Sequence, residues 1–372
     1  MDDLQITFLE MGGQPAGQTA GQLAAFLAQA QQTIDWAAYD FRLSGAQEQT
    51  VVGALHDALN RGVQVRIVYN SEHDSAAVGT GESMPTSGAA SFIQSLGVPA
   101  RPIADPGCLM HQKYVVIDGA LPAAQVWTGS TNFTDDSWTL QENNILLLRS
   151  AAIAQGYARD FQELWAAGSL LNTGRRDVEP LPLTYKGGPV TTQIHFSPGE
   201  GVWINQEVAD LISGARQHIT VCAAVISSGR ILDALNKATH RGVTMDGVYD
   251  RTQMEGVFQQ WQAVPSNHWK IGVFQHLVAH AHLSGKITTP WSPTSTHDYM
   301  HNKILVIDDT VITGSYNFSR NAETNAENLV ILASPVVAAD YRAFIGHLAQ
   351  RYAGSGPPQV PAGAVGVEPG QG

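Results

Sequence analysis

The chain has 372 residues, 44% apolar and 15% charged, which is enough for two or three domains with buried cores and excludes wholesale disorder. Its 33 acidic residues outweigh 21 basic ones, and the formal charge of -12 works against non-specific attraction to nucleic acid or anionic membrane. Two cysteines, Cys108 and Cys222, exclude a disulfide framework and a four-ligand thiolate zinc site; no apolar run reaches membrane-spanning length; and the acidic Met1-Asp2-Asp3 start does not read as a signal peptide, so a cytoplasmic protein is expected.

In chain order, Leu23, Phe26, Leu27 and Ala30 form one face of an amphipathic helix, and the apolar stretch 33–41 predicts a buried strand. A second helix stops at Arg61-Gly62, and a strand follows over 63–69. The same series recurs in the second half. Val208, Leu211, Ile212 and Ala215 repeat the helical face, 219–226 repeats the strand, and a helix ending at Arg241-Gly242 leads into a strand over 243–249. Alternating helices and strands predict an α/β fold: two homologous halves, each a mainly parallel mixed sheet flanked by helices, packed as a pseudo-dimer with a shared site at the junction. The expected boundaries are 1–170, a linker over 171–190, 191–353, and a disordered Gly/Pro-rich tail over 354–372. The two stretches that rim the expected site, 70–96 and 251–300, differ most between the halves and read as substrate-selecting loops.

Each half carries one chemistry-bearing motif. His111-Gln112-Lys113 is followed five residues later by Asp118, and His301-Asn302-Lys303 by Asp308, giving H-x-K-x4-D twice. A Gly-Ser-x-Asn-Phe element follows each motif, at Gly129 to Phe133 and at Gly314 to Phe318. Ten residues beyond Asn132 and Asn317 stand Glu142 and Glu327. On a strand, His and Lys two apart share a face. Lysine offers a point charge and asparagine an amide donor to phosphate oxygens, while histidine can attack phosphorus or carry a proton near neutral pH.

These residues resemble the phospholipase D superfamily, whose two H-K-D motifs meet in one active site; the resemblance covers about 20–350, and neither motif departs from the pattern. It implies a phosphoric diester hydrolase that needs no metal or other cofactor and works through a phosphohistidine. His111, Lys113, Asp118, His301, Lys303 and Asp308 supply the catalytic motif, with His111 as nucleophile and His301 as general acid and base. Lys113, Ser130, Asn132, Lys303, Ser315 and Asn317 would hold the phosphoryl oxygens, and Glu142 and Glu327 would orient the histidines. In the family the motif aspartates are mostly structural. A monomer with an internal pseudo-twofold is implied, with a phosphodiester as its partner molecule and no stable protein partner.

Other residues invite sharper readings. His276, His280 and His282, with His297 nearby, have metal-like spacings without an evident carboxylate or cysteine partner. Cys108 reads as an inert thiol, and Trp291 and Tyr299 as packed aromatics or as an entrance that stacks on substrate. For substrate, a glycerophospholipid cleaved to phosphatidate and head-group alcohol is favoured by charge over DNA or RNA. A cardiolipin synthase-like phosphatidyltransferase and a non-enzymatic phosphate-binding protein rank below both.

Overall fold

Strand order repeats between the halves and carries each motif to the middle of a sheet. The structure, a computed structural model, describes residues 2–71, 88–175, 179–292 and 294–359. The first half begins β1 (Leu4–Leu9), α1 (Ala16–Leu27), β2 (Thr33–Ala38), β3 (Phe41–Arg42), α2 (Gly45–Asn60), β4 (Gln64–Asn70) and α3 (Ala89–Ser95). It continues β5 (Ala100–Ile103), β6 (Lys113–Ile117), β7 (Gln125–Gly129), β8 (Phe133–Thr134), α4 (Asp135–Thr139), β9 (Asn143–Leu148) and α5 (Ala151–Ala167). The second half begins β10 (Leu181–Tyr185), β11 (Gly188–Ser197), α6 (Gly201–Gly214), β12 (His218–Ala223), α7 (Gly229–His240), β13 (Thr244–Asp250) and α8 (Arg251–Ala263). It ends α9 (His268–His280), β14 (Leu283–Lys286), β15 (Lys303–Ile307), β16 (Thr310–Gly314), β17 (Glu327–Ala333) and α10 (Pro335–Arg351).

One sheet runs β1-β9-β7-β6-β2-β4-β5 and the other β10-β11-β17-β16-β15-β12-β13-β14, the same order with one added edge strand. The α/β class with two mixed sheets is as expected, but the parallel share is smaller. Among the described residues, the only parallel neighbours within these two sheets are β2-β4-β5 and β12-β13-β14; the short β3 and β8 form a separate parallel pair. Parallel neighbours need a long crossover. The motif strands instead return through short connections, such as the turn at Asp308-Asp309, and so pair antiparallel with β7 and β16.

Helices α1 and α2 cover the outer face of the first sheet, through Leu23, Phe26, Val51 and Leu55. Helices α6 to α9 cover the outer face of the second, through Ile204, Leu235, Phe258 and Phe274. Between the sheets lies a core to which both halves contribute, with Tyr157 and Phe161 of α5 and Tyr341 and Ile345 of α10. Phe8 of β1 stacks on Phe344 with ring centres 4.3 Å apart, and Tyr157 meets Phe196 of β11 at 5.0 Å.

Several boundaries differ from expectation. The linker predicted over 171–190 contains β10 and the start of β11, a hairpin that joins the second sheet. The predicted loop 251–300 contains α8, α9 and β14. The tail begins ordered: Ser355 Oγ accepts from the Gly285 amide at 2.7 Å, and the Tyr249 hydroxyl reaches the Gly356 carbonyl at 3.4 Å. The rest of the tail, 360–372, and the Gly/Ser-rich 72–87 lie outside the described residues. Among the described residues no helix is long and apolar enough to cross a membrane.

Candidate active site

The site forms where the parallel strands end. Lys113, at the start of β6, pairs in register with Ala38 at the end of β2, and Lys303 pairs in the same way with Ala223 at the end of β12. In open α/β sheets this carboxyl edge is where ligands bind. All five residues of β6 and of β15 are buried, so the apolar part of each motif anchors its His-x-Lys head in the core.

The Gly-Ser elements clamp the halves. Gly129 and Gly314 adopt φ of 141° and 130°, and a Cβ there would lie 2.2 Å from the Asn144 carbonyl and 2.4 Å from that of Asn328. Only glycine allows that approach. Ser130 N then donates to the Asn144 carbonyl at 3.1 Å and Ser315 N to the Asn328 carbonyl at 3.0 Å. Each serine Oγ accepts the returning amide of Asn144 or Asn328, at 3.0 and 2.9 Å. The two expected phosphate-binding serines are thus tied into the scaffold. Asn132 Oδ1 and both side-chain polar atoms of Asn317 are buried without a hydrogen-bond partner among the described residues, which leaves them able to take a ligand.

Bonds across the pseudo-twofold bring the motifs together. His111 N donates to the Ala326 carbonyl at 2.9 Å, and His301 N to the Glu142 carbonyl at 3.0 Å. Asn328 Nδ2 donates to Gln112 Oε1 at 2.7 Å, and Asn144 Nδ2 to Thr313 Oγ1 at 2.9 Å. Lys113 and Lys303 fold back so that each Nζ donates to the carbonyl of the histidine two residues earlier, at 2.9 and 2.7 Å. The ring of Tyr39, a residue the sequence gave no reason to single out, lies 4.5 Å from that of His111 and 4.8 Å from Lys113 Nζ.

His111 Nδ1 lies 2.8 Å from Glu327 Oε2, and its Nε2 is buried without a hydrogen-bond partner among the described residues. Burial holds the imidazole well below its usual value, and the charges of Lys113, Lys303 and His301 push it the same way. Burial also pushes Glu327 up to about 8, against the pull of Lys113, of hydrogen bonds from Ser315 and Asn325, and of Lys303.

His301 is held differently. Its Nδ1 lies 3.0 Å from Asn143 Oδ1. The amide orientation is fixed, because Asn143 Nδ2 donates to the Ser137 carbonyl and to Gln141 Oε1, each at 3.1 Å. Glu142 does not take the place that counting from Asn132 assigns to it. The Ser130–Asn144 and Ser315–Asn328 bonds make Asn144 equivalent to Asn328, so Asn143 answers to Glu327 and Glu142 to Ala326. The connection after Asn132 is one residue longer, through the α4 turn where the second half has a short 3-10 turn over Asn321–Glu323. The Glu142 carboxylate instead meets Lys286 Nζ at 2.6 Å and the Tyr352 hydroxyl, and accepts the Met11 amide at 3.3 Å.

Asp118 and Asp308 lie at the far ends of the motif strands. Asp118 accepts the amides of Gln31, Gln32 and Thr33 at 2.6 to 3.1 Å, and Asp308 those of Arg216, Gln217 and His218 at 2.9 to 3.0 Å. These carboxylates tie down the entry to β2 and β12. His276 and His280 stack with ring centres 4.0 Å apart on α9, whereas His297 hydrogen bonds to the Ser292 carbonyl. Among the described residues no group of three or more potential ligands could hold a metal. Cys222 is buried 3.3 Å from Met300 Sδ, Cys108 is half-buried, and Trp291 and Tyr299 are both buried.

Comparison with known proteins bears on the two halves and their fold. Residues 23–165 and 208–348 each match the family described as cardiolipin synthase, PLD-like domain. A mitochondrial cardiolipin hydrolase from Xenopus tropicalis is 28% identical over 144 residues, covering 39% of this chain and 60% of that protein. A phospholipase D from Rickettsia bellii is 28% identical over 148 residues, covering 39% and 63%. The chain thus spans less than two thirds of the length of these relatives. The fold is shared with phosphatidylserine synthase of Haemophilus influenzae, at TM-score 0.63 and 12% identity over 93% of this chain and 86% of that one. It is also shared with polyphosphate kinase of Porphyromonas gingivalis, at TM-score 0.56 and 11% identity over 92% and 50%. With both halves matched and both His-x-Lys heads at one junction, the chain belongs to the phospholipase D superfamily, as a two-motif member built from two PLD-like halves.

Proposed function

We propose that the protein cleaves phosphodiesters through a phosphohistidine, with the substrate phosphate held between Lys113 and Lys303. The observation that carries this reading is His111. Its Nε2 is buried, has no hydrogen-bond partner among the described residues, and feels the charges of both lysines and of His301. In the first step His111 Nε2 bonds to phosphorus while the P–O bond to the alcohol breaks, and the departing oxygen takes a proton from His301. In the second, water attacks phosphorus, gives its proton to His301, and the N–P bond breaks to restore His111. The lysines and the amides of Asn132 and Asn317 supply the electrostatic stabilisation.

We infer a glycerophospholipid as the substrate and hydrolysis as the main outcome. The formal charge of -12 disfavours a long polyanion, and the relatives carry the names cardiolipin hydrolase and phospholipase D. Transfer to a second alcohol is the competing outcome, and the fold shared with a synthase keeps it in view. A side-by-side assay on phosphatidylcholine, phosphatidylethanolamine, cardiolipin, single-stranded DNA and RNA, with His111→Ala as control, tests the reading. Head-group release by the unaltered protein alone supports it, and cleavage confined to nucleic acid replaces the lipid by the nuclease alternative. No turnover of any of the five, nor of bis(p-nitrophenyl) phosphate, overturns it.

A further inference from the structure

The pseudo-twofold relates the two sides of the site but not their charge. Phe318 directly follows Asn317, and its carbonyl accepts the amides of Ser227 and Ser228 at 2.8 and 2.9 Å, so the loop from β12 to α7 is sewn to the second phosphate-binding element. Three cations from three segments gather along that seam. Lys270 of α9 donates from Nζ to the Ser227 carbonyl at 3.1 Å. Arg230 stands in the first turn of α7 beside Gly229, where a Cβ would lie 3.3 Å from Lys270 Cε and 3.2 Å from the Trp269 ring. Arg320 lies three residues beyond Asn317, a chain reach of at most about 10 Å. A bond of 2.7 Å from Ser319 N to the Asn317 carbonyl shortens that reach further. Among the described residues no carboxylate pairs with any of the three, and burial and the Arg320 charge together hold the Lys270 ammonium below its usual value. Apolar surface flanks them: Trp269 is 46% exposed, and Val202, whose carbonyl accepts from Arg230 at 3.4 Å, is 63% exposed. The first half is the reverse. Where the second half has Arg320, it has Asp135, which accepts the Ser44 hydroxyl at 2.7 Å and is followed by Asp136; α3, which precedes β5 as α9 precedes β14, carries no charged residue.

We propose that Arg230, Lys270 and Arg320 form an anion subsite on the second-half rim, which takes a second phosphate of the substrate and so selects a phospholipid with two phosphodiester groups over one with a single group. The proposal rests on the phosphodiesterase reading above and narrows its substrate. Two guanidinium forks and an ammonium suit the oxygens of one phosphate, and cations that no carboxylate neutralises keep their charge for a ligand. Lys270 and Trp269 fall within 251–300, the stretch whose sequence differs most from the first half, so the subsite belongs to one side only. A lipid is favoured over a nucleic-acid strand because the cations stop at one cluster. A strand threading the site would carry further phosphates toward Asp135 and Asp136, which repel them. Exposed Trp269 and Val202 instead offer apolar surface to the glycerol and acyl parts of a lipid.

The test compares kcat/KM for cardiolipin, with two phosphodiesters, and for phosphatidylglycerol, with one, in detergent micelles of matched surface charge. Sedimentation with vesicles of each lipid, again at matched charge, measures binding without chemistry. Arg320→Asp, which copies the charge of the first half, should lower the cardiolipin-to-phosphatidylglycerol ratio about tenfold or more, and so should Arg230→Gln combined with Lys270→Gln. Arg149→Gln, which alters a cation at the other end of β9, should leave the ratio as it is. A ratio of one in the unaltered protein, or an unchanged ratio in the folded variants, overturns the proposal. So does a loss confined to cleavage of single-stranded DNA, which would assign the cations to a nucleic-acid strand. Arg320 is exposed, so Arg320→Asp decides alone should the double variant not fold. Should neither lipid turn over, the functional reading fails, while the vesicles still decide the subsite: equal retention of Arg320→Asp and the unaltered protein on cardiolipin refutes it.

Discussion

Lys286 Nζ lies 2.6 Å from Glu142 Oε2 in a fully buried ion pair that fastens the edge strand β14 to the first half of the chain. Such a pair is weak evidence of net stability, but removing one partner strands the other charge away from water. Lys286→Met or Glu142→Gln alone should each cost about 3–5 kcal/mol of stability. The double replacement should recover most of that loss. Urea denaturation of the three variants checks this, and an additive double variant would contradict it.

The motif aspartates should matter to folding rather than to chemistry. Asp118→Asn and Asp308→Asn each weaken an acceptor of three backbone amides, so both should melt earlier while the folded fraction keeps its kcat. Asp308 adds a pH signature. Burial works to raise its carboxyl, but amide bonds from His218, Arg216 and Gln217 and the Arg216 charge hold it below the usual 3.8. A depressed folded value stabilises the fold above the unfolded value, and that contribution is lost as pH falls through the lowered one. Melting temperatures of Asp308→Asn should therefore depend less on pH in the acid range than those of the unaltered protein.

The rate should rise toward mildly alkaline pH. With Glu327 raised to about 8 by burial, the pair below that pH holds its proton on the carboxyl, and His111 Nδ1 must accept. Nε2 then carries the other hydrogen and cannot attack. Once Glu327 loses its proton, Nδ1 donates to it and the Nε2 lone pair is free. The expected result is an acid limb in kcat/KM near pH 8 for bis(p-nitrophenyl) phosphate, absent in Glu327→Gln. The limb belongs to the pair rather than to either residue alone.

Lysine charge should do the work that a cation does in other phosphodiesterases. Lys113→Met and Lys303→Met should each lower kcat/KM by about 10²- to 10³-fold. EDTA should leave turnover of the unaltered protein in place, and restoration of a chelated sample by Mg²⁺ or Zn²⁺ would refute this. A primary alcohol added to the assay should capture part of the phosphoryl group. A chiral phosphorus centre should emerge with retained configuration, because two in-line displacements cancel.

The repeat and the motif strands were legible because each is written twice in local sequence, His-x-Lys ahead of an apolar run and Gly-Ser ahead of Asn. The partners of the histidines were only half legible. Counting ten residues from Asn317 reaches Glu327, which meets His111, but the same count from Asn132 reaches Glu142, one residue short of Asn143, because the turn at Asp135–Thr139 is longer. A one-residue slip along a strand exchanges the two faces. Lys286 left no local mark, since its pairing with Glu142 spans 144 positions. The antiparallel share of the sheets was hidden for another reason: a buried strand reads as apolar whichever way its neighbours run.

The hairpin of β10 and β11 has a consequence for how the molecule comes apart. Asp2 and Asp3 at the start of the chain bond to Lys186 and Thr184, and Phe196 packs on Tyr157. The segment between the repeats is therefore a seam stitched to both sides. Severed near residue 175, each fragment would carry a bare oily wall, with Tyr157 and Phe161 on one and Tyr341 and Ile345 on the other. Calorimetry of the whole chain should accordingly give one melting peak, and a nick in that segment should leave two pieces that stay bound to each other until both melt together.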